Sequence, residues 1–145
     1  MDSKNSADCL CPIALSLDLL GDAWSMLILR DANAGMTRFE QFKKSLGIAP
    51  TMLTKRLAAL TEEKLLEKRQ YSERPPRDEY VLTQAGRDFL PVLLLIGAWG
   101  RKHRGCGSIV RLRDPGTGTE VQPIAIDAVT GAVLGTRAIK AVYPE

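Results

Sequence analysis

Two kinds of side chain in this sequence could do chemistry: a concentration of cations and a few thiols. Between Met36 and Arg77 ten basic residues face five acidic ones, a balance of +5, whereas the whole 145-residue chain carries only +3. Residues 106–145 hold four of each sign. Positive charge gathered in one stretch marks where an anionic partner docks. Within that stretch Thr51, Met52, Lys55 and Arg56 lie a few positions apart, and Arg74 and Arg77 flank Pro75-Pro76. Ammonium and guanidinium groups hold phosphates, and from a helix they also read base edges in the major groove of duplex DNA. This is recognition chemistry. Catalysis has no comparable support: no Ser-His-Asp arrangement and no phosphate-cradling glycine loop is present. The single histidine, His103, sits among Arg101, Lys102 and Arg104, as at a solvated helix end. An enzyme is therefore not expected.

The three cysteines, Cys9, Cys11 and Cys106, are odd in number and contain no Cys-x-x-Cys pair. Neither a disulfide framework nor a Cys-only zinc site is predicted, and no metal or cofactor is expected. The N-terminus lacks a basic-then-apolar signal segment. The longest strongly apolar stretch, Phe89 to Trp99, falls short of the roughly 20 residues of a membrane span. A cytoplasmic protein is expected.

Helices and one hairpin must position the cations. Pro12 to Leu20, with Pro at the first turn and Gly21 after the end, reads as a helix that is apolar almost all round. Such a helix is either wholly buried or a contact between two copies. Asp22 can cap a second helix to about Asn33. Thr37 and Glu40 have capping-box spacing for a third helix, which buries Phe39, Phe42 and Leu46 before Gly47. Only Ile48 and Ala49 separate that stop from Pro50, which opens a helix to about Lys64 with a spine of Leu53, Leu57, Leu60 and the Lys64 stem. Thr51, Lys55, Ala58 and Glu62 lie on the opposite side. Two helices joined by so short a turn containing glycine form a helix-turn-helix. Arg38 and Lys43 or Lys44 are placed to touch the DNA backbone from the first helix of the pair.

Beyond Leu65-Leu66, the runs Glu67–Ser72 and Asp78–Leu82 predict a hairpin whose tip, Glu73 to Arg77, is cationic and stiffened by two prolines. Thr83 can cap a last helix to about His103, with Pro91 bending it. Short strands are expected at Ile109–Leu112, Val121–Ile126 and Ala132–Leu134. The fold class predicted is mainly α with a β-hairpin wing: a winged helix-turn-helix over residues 1–105 and a small β-rich extension over 106–145.

Several motifs in order resemble the HxlR-type regulators, winged-helix relatives of the MarR proteins. They are Cys11-Pro12, the run Gly21 to Arg30, Thr37 to Phe42, Leu46 to Leu57, Tyr71 to Tyr80 with its Arg-Pro-Pro-Arg, Leu82 to Gly86, Leu90-Pro91 and Trp99-Gly100. The resemblance covers roughly residues 9–103. It implies a homodimer, joined through the first and last helices, that binds pseudo-palindromic operators and represses or activates nearby genes; a repressor is expected here. On this reading Arg38, Thr51, Met52, Lys55, Arg56, Arg74 and Arg77 contact DNA.

The family's cysteine at the position of Cys11 senses oxidants or electrophiles in some members, and Cys9 is then a candidate resolving thiol. An anionic thiolate is stabilised at a helix N-terminus, which makes the mechanism physically reasonable. The alternative is a packed, inert Cys11. Two departures from the family pattern stand out. Ala49 replaces the usual Ser or Thr cap. The extension resembles a zinc ribbon without its ligands, since Asp114–Gly118 and Asp127–Gly131 carry no thiol where relatives pair cysteines. A second reading of the whole chain is a winged-helix interaction module that has lost DNA binding.

Overall fold

The computed structural model describes residues 10–145, so Cys9 lies outside the described residues. Helices α1 (Pro12–Leu20), α2 (Ala23–Asn33), α3 (Phe39–Leu46) and α4 (Pro50–Glu62) precede an antiparallel hairpin of β1 (Leu66–Glu73) and β2 (Pro76–Leu82). Helices α5 (Gln84–Asp88) and α6 (Leu90–His103) follow. This is the winged helix-turn-helix order. Two compact units meet between Leu90 and Pro91, so α6 is grouped with the residues after it rather than with the winged part. Among the described residues no single helix is long and apolar enough to cross a membrane.

The core of the first unit comes from helical periodicity. Ile28 and Leu29 of α2, Phe42 of α3, and Leu53, Leu57 and Leu60 of α4 are fully buried. Each such side chain contributes about 1.5–3 kcal/mol by leaving water. On α4 the spacing i, i+4, i+7 confines burial to one stripe and leaves the opposite face bare. Leu65 and Leu66 then carry the core into the hairpin. To bring them inward the chain leaves the helix at Glu62 and turns through Lys64, whose φ of 62° is left-handed. The helix therefore ends two residues earlier than its pattern predicts, and Lys64 is exposed, not part of the spine.

The caps agree with expectation at one helix and differ at another. Asp22 accepts from the Ser25 amide at 2.8 Å and the Ser25 hydroxyl at 2.6 Å, capping α2 as predicted. At α3 the predicted Thr37/Glu40 box is replaced. Arg38 is the N-cap, and the Gln41 side-chain oxygen accepts from the amides of both Thr37 and Arg38 at 3.0 Å. Starting the helix one residue later moves the reach-back position from Glu40 to Gln41. Gly47 closes α3 with φ 61°, and α4 begins at Pro50 after the uncapped Ala49.

Helix α1 spans the predicted residues, but Leu20 is its one buried side chain. Ile13 is 70% exposed, and Leu15 and Leu17 are about half exposed. The wholly buried alternative for this helix is thereby overturned. The expected last long helix is broken at Phe89 into α5 and α6. Pro91 lacks the N–H that would continue the ladder across that point. Thr83 caps α5, accepting from the Gly86 amide at 3.2 Å.

In the second unit the extension forms turns where longer strands were expected. Two isolated bridges, Arg113 with Glu120 and Ile126 with Val133, each close one turn. The turns repeat one design. Asp114 and Asp127 each accept from the amide two residues on, and the Gly118 and Gly131 amides donate to the Asp114 and Asp127 carbonyls at 2.7 Å. At Asp127 the Val129 amide and the Thr130 side chain hold the carboxyl below its ordinary range. Polar groups satisfied within each turn require no ladder beyond it, and Pro123 cannot donate to one.

Candidate nucleic-acid interface

The bare face of α4 is the feature around which the other cations are arranged. Thr51, Thr54, Lys55, Ala58 and Glu62 are exposed there, and Met52 and Ala59 are half-buried on its flank. Thr54 escaped the sequence reading, although a helical wheel places it within the same face as Thr51 and Ala58. Its hydroxyl donates to the Pro50 carbonyl at 2.9 Å, so it presents a methyl group and an acceptor. Small side chains at Ala58 and Ala59 permit close approach to a groove floor.

Arg56 points elsewhere. Its Nε lies 3.4 Å from Asp22 Oδ1, and the side chain is 29% exposed. The ion pair ties α4 to the N-terminus of α2. At Asp22, burial pushes the carboxyl up, but the Ser25 hydroxyl and amide and the Arg56 guanidinium outweigh it and leave it below the usual range. Arg56 thus helps fix how α4 sits on the core.

Arg38 is exposed at the start of α3, its guanidinium carbon 4.4 Å from the centre of the Tyr71 ring. Lys44 is exposed, and Lys43 is half-buried within 3.9 Å of Glu40. On the hairpin, pairing sorts the cations by height. Near the base Lys68 pairs with Asp78 at 3.5 Å and Arg69 with Glu67 at 3.2 Å. Arg74 at the tip and Arg77 beside it are exposed and, among the described residues, in no ion pair. The unneutralised charge therefore lies at the tip. The tip itself is two residues, Arg74 and Pro75, shorter than the five-residue loop predicted, and Ser72 Oγ donates to the Pro75 carbonyl at 2.9 Å.

Cys11 is a half-buried free thiol at the N-cap of α1, and Cys106 is free and exposed. Among the described residues no group of three or more His, Cys, Asp or Glu could hold a metal ion.

An exposed helix after a tight turn, joined to a hairpin with a cationic tip, is the arrangement by which winged helices engage duplex DNA. Comparison with known proteins agrees. Residues 19–106 match the pattern of the HxlR-like helix-turn-helix family. An HTH-type transcriptional regulator of Mycobacterium bovis, Mb3122, is 35% identical over 127 residues, covering 86% of this chain and 80% of the relative. Among solved structures, PA1607, a protein provisionally classed as a transcription factor, aligns with a TM-score of 0.83 at 38% identity. That alignment covers 91% of this chain and 94% of the other. The redox regulator HypR in its reduced form aligns with a TM-score of 0.61 at 30% identity over 65% of this chain and 94% of its own. The chain belongs to the HxlR-like helix-turn-helix family and is a DNA-binding transcriptional regulator, not an enzyme.

Proposed function

We propose that the protein is a sequence-specific repressor that binds a pseudo-palindromic operator as a homodimer. Thr51, Met52 and Lys55 of α4 enter the major groove, and Arg38, Arg74 and Arg77 hold the phosphate backbone or an adjacent minor groove. Arg56 supports α4 and reaches a phosphate with its outer nitrogens. The observation that carries this reading is the pairing pattern. Lys55, Arg74 and Arg77 are exposed and, among the described residues, in no ion pair, while the cations nearer the hairpin base are already in ion pairs.

Dimerisation through α1 and α6 is supported by apolar side chains facing water. Ile13 and Leu17 lie one turn apart on α1, and Val92, Ile96 and Trp99 form a stripe on α6, 43–57% exposed. A stripe of this kind on a regulator marks an association surface. Two-fold pairing would set the α4 helices about one duplex turn (roughly 34 Å) apart. Cys11, at the start of α1, is positioned for modification there to change that spacing, and HypR is a redox regulator.

Neutralising Lys55, Arg74 and Arg77 together tests the reading. Each phosphate contact contributes about 0.9 to the slope of log affinity against log salt, so losing a few contacts per protomer flattens it visibly. Unchanged affinity and slope would instead favour the interaction module that has lost DNA binding.

A further inference from the structure

The pairing of β1 with β2 is interrupted once. Gln70 faces Asp78 and Ser72 faces Arg77, so β1 carries one residue, Tyr71, with no partner on β2. An extra residue in one strand of a pair is a β-bulge. Bulges re-aim side chains and turn the strand beyond them. Here the re-aimed ring is 38% exposed and has the Arg38 guanidinium over it, 4.4 Å from carbon to ring centre. One further contact fixes the same junction: the Tyr80 amide of β2 donates to the Thr37 carbonyl at 2.7 Å, while the Arg38 amide, donating to the Gln41 side chain at 3.0 Å, anchors the Arg38 backbone at the start of α3.

We propose that Tyr71 is a positioning residue for DNA binding: the bulge presents its ring as a platform that holds Arg38 with its N–H edge toward the phosphate backbone and couples the wing to the helix-turn-helix. A guanidinium held over a ring by cation–π attraction can keep its N–H donors free for other acceptors. The long side chain is also ordered before DNA arrives, which lowers the entropy lost on binding. A ring at Tyr71 is needed for this; its hydroxyl is not. The proposal rests on the reading above that Arg38 touches the DNA backbone.

The test is a double-mutant cycle on the full chain, with binding to duplex DNA followed by fluorescence anisotropy across a salt series and melting temperature as the folding control. Arg38→Ala is expected to weaken binding and to flatten the salt slope by about 1 per protomer. Tyr71→Ala is expected to weaken binding about three- to fivefold per protomer, the size of a surface cation–π contact, while keeping most of the slope. Tyr71→Phe keeps the ring and is expected to stay within about twofold of the parent. In the Arg38→Ala background Tyr71→Ala adds nothing. Tyr71→Phe failing as badly as Tyr71→Ala, or Tyr71→Ala costing as much without Arg38 as with it, would overturn the platform and leave the Arg38 contact standing. A silent Arg38→Ala would overturn the Arg38 contact itself, and the platform with it.

Discussion

Replacing Asp22 with Ala should be among the most damaging single changes at a partly exposed position in the winged unit, because one carboxylate serves three partners. It caps α2 through the Ser25 amide, a contribution of about 1 kcal/mol. It also accepts from the Ser25 hydroxyl, and Ser25 is only 2% exposed. Removing the acceptor strands a buried donor at about 1–3 kcal/mol. Finally it pairs with Arg56 at 3.4 Å, a partly exposed ion pair of about 0.2–1 kcal/mol. These contributions share one group and do not add fully, so the expected loss is about 2–4 kcal/mol. Asp22→Asn keeps one acceptor oxygen for the Ser25 amide, and its NH2 can donate to the Ser25 hydroxyl oxygen in place of the lost acceptor, so it should lose only about 1–2 kcal/mol.

Urea unfolding followed by circular dichroism measures both changes. For a unit of this size each kcal/mol also moves the melting temperature by about 4–8 °C. The pH dependence has a definite sign. The folded carboxyl is held below the ordinary value of 3.8, so the unfolded chain takes up the proton first. The stability Asp22 contributes is complete above that value and is lost as pH falls through the lower folded one. Asp22→Ala should abolish this part of the acid sensitivity. A loss under about 0.5 kcal/mol for Asp22→Ala, or equal losses for Ala and Asn, would refute the argument that Asp22 is a three-way joint.

Other consequences follow from backbone geometry. Gly86 is buried where a Cβ would meet the Leu65 carbonyl oxygen and the Leu82 side chain, so Gly86→Ala should cost about 1–3 kcal/mol in the same unfolding assay and disturb the α5 cap. A near-neutral Gly86→Ala would show that this junction can yield. Ala49 precedes Pro50 without a side-chain cap, and Ala49→Ser should raise stability by about 0.5–1 kcal/mol. If unfolding shows no gain, the serine hydroxyl is not reaching the free amides of the first turn.

How much of this was legible in the sequence depends on the range of the interaction involved. Helix α1 could be bounded from Pro12 and Gly21 alone, and the core stripe of α4 from the spacing of Leu53, Leu57 and Leu60, because these signals act within a few residues. The Asp22 cap was equally local. What escaped was set by contacts distant along the chain. Arg56 read as a cation on the DNA side, since nothing local reveals that its Nε lies in an ion pair with Asp22, 34 positions earlier. Tyr71 read as an ordinary strand residue because a bulge is a property of a pair of strands, not of either one. Lys64 looked like the last residue of a spine until Leu65 and Leu66 entered the core and required a left-handed turn before them. In the extension, the apolar runs suggested strands, while the two Asp-to-Gly turns satisfied the backbone by themselves.

The claim on which the account depends is that two α4 helices meet one duplex together. Hydroxyl-radical footprinting on a fragment selected by the protein from genomic DNA, with the stoichiometry of the complex read by sedimentation, tests it directly. The account predicts two chains per site and two protected patches whose centres lie about 10 base pairs apart on one face of the helix. A single patch under a single chain, or no fragment selected over random DNA, would contradict it.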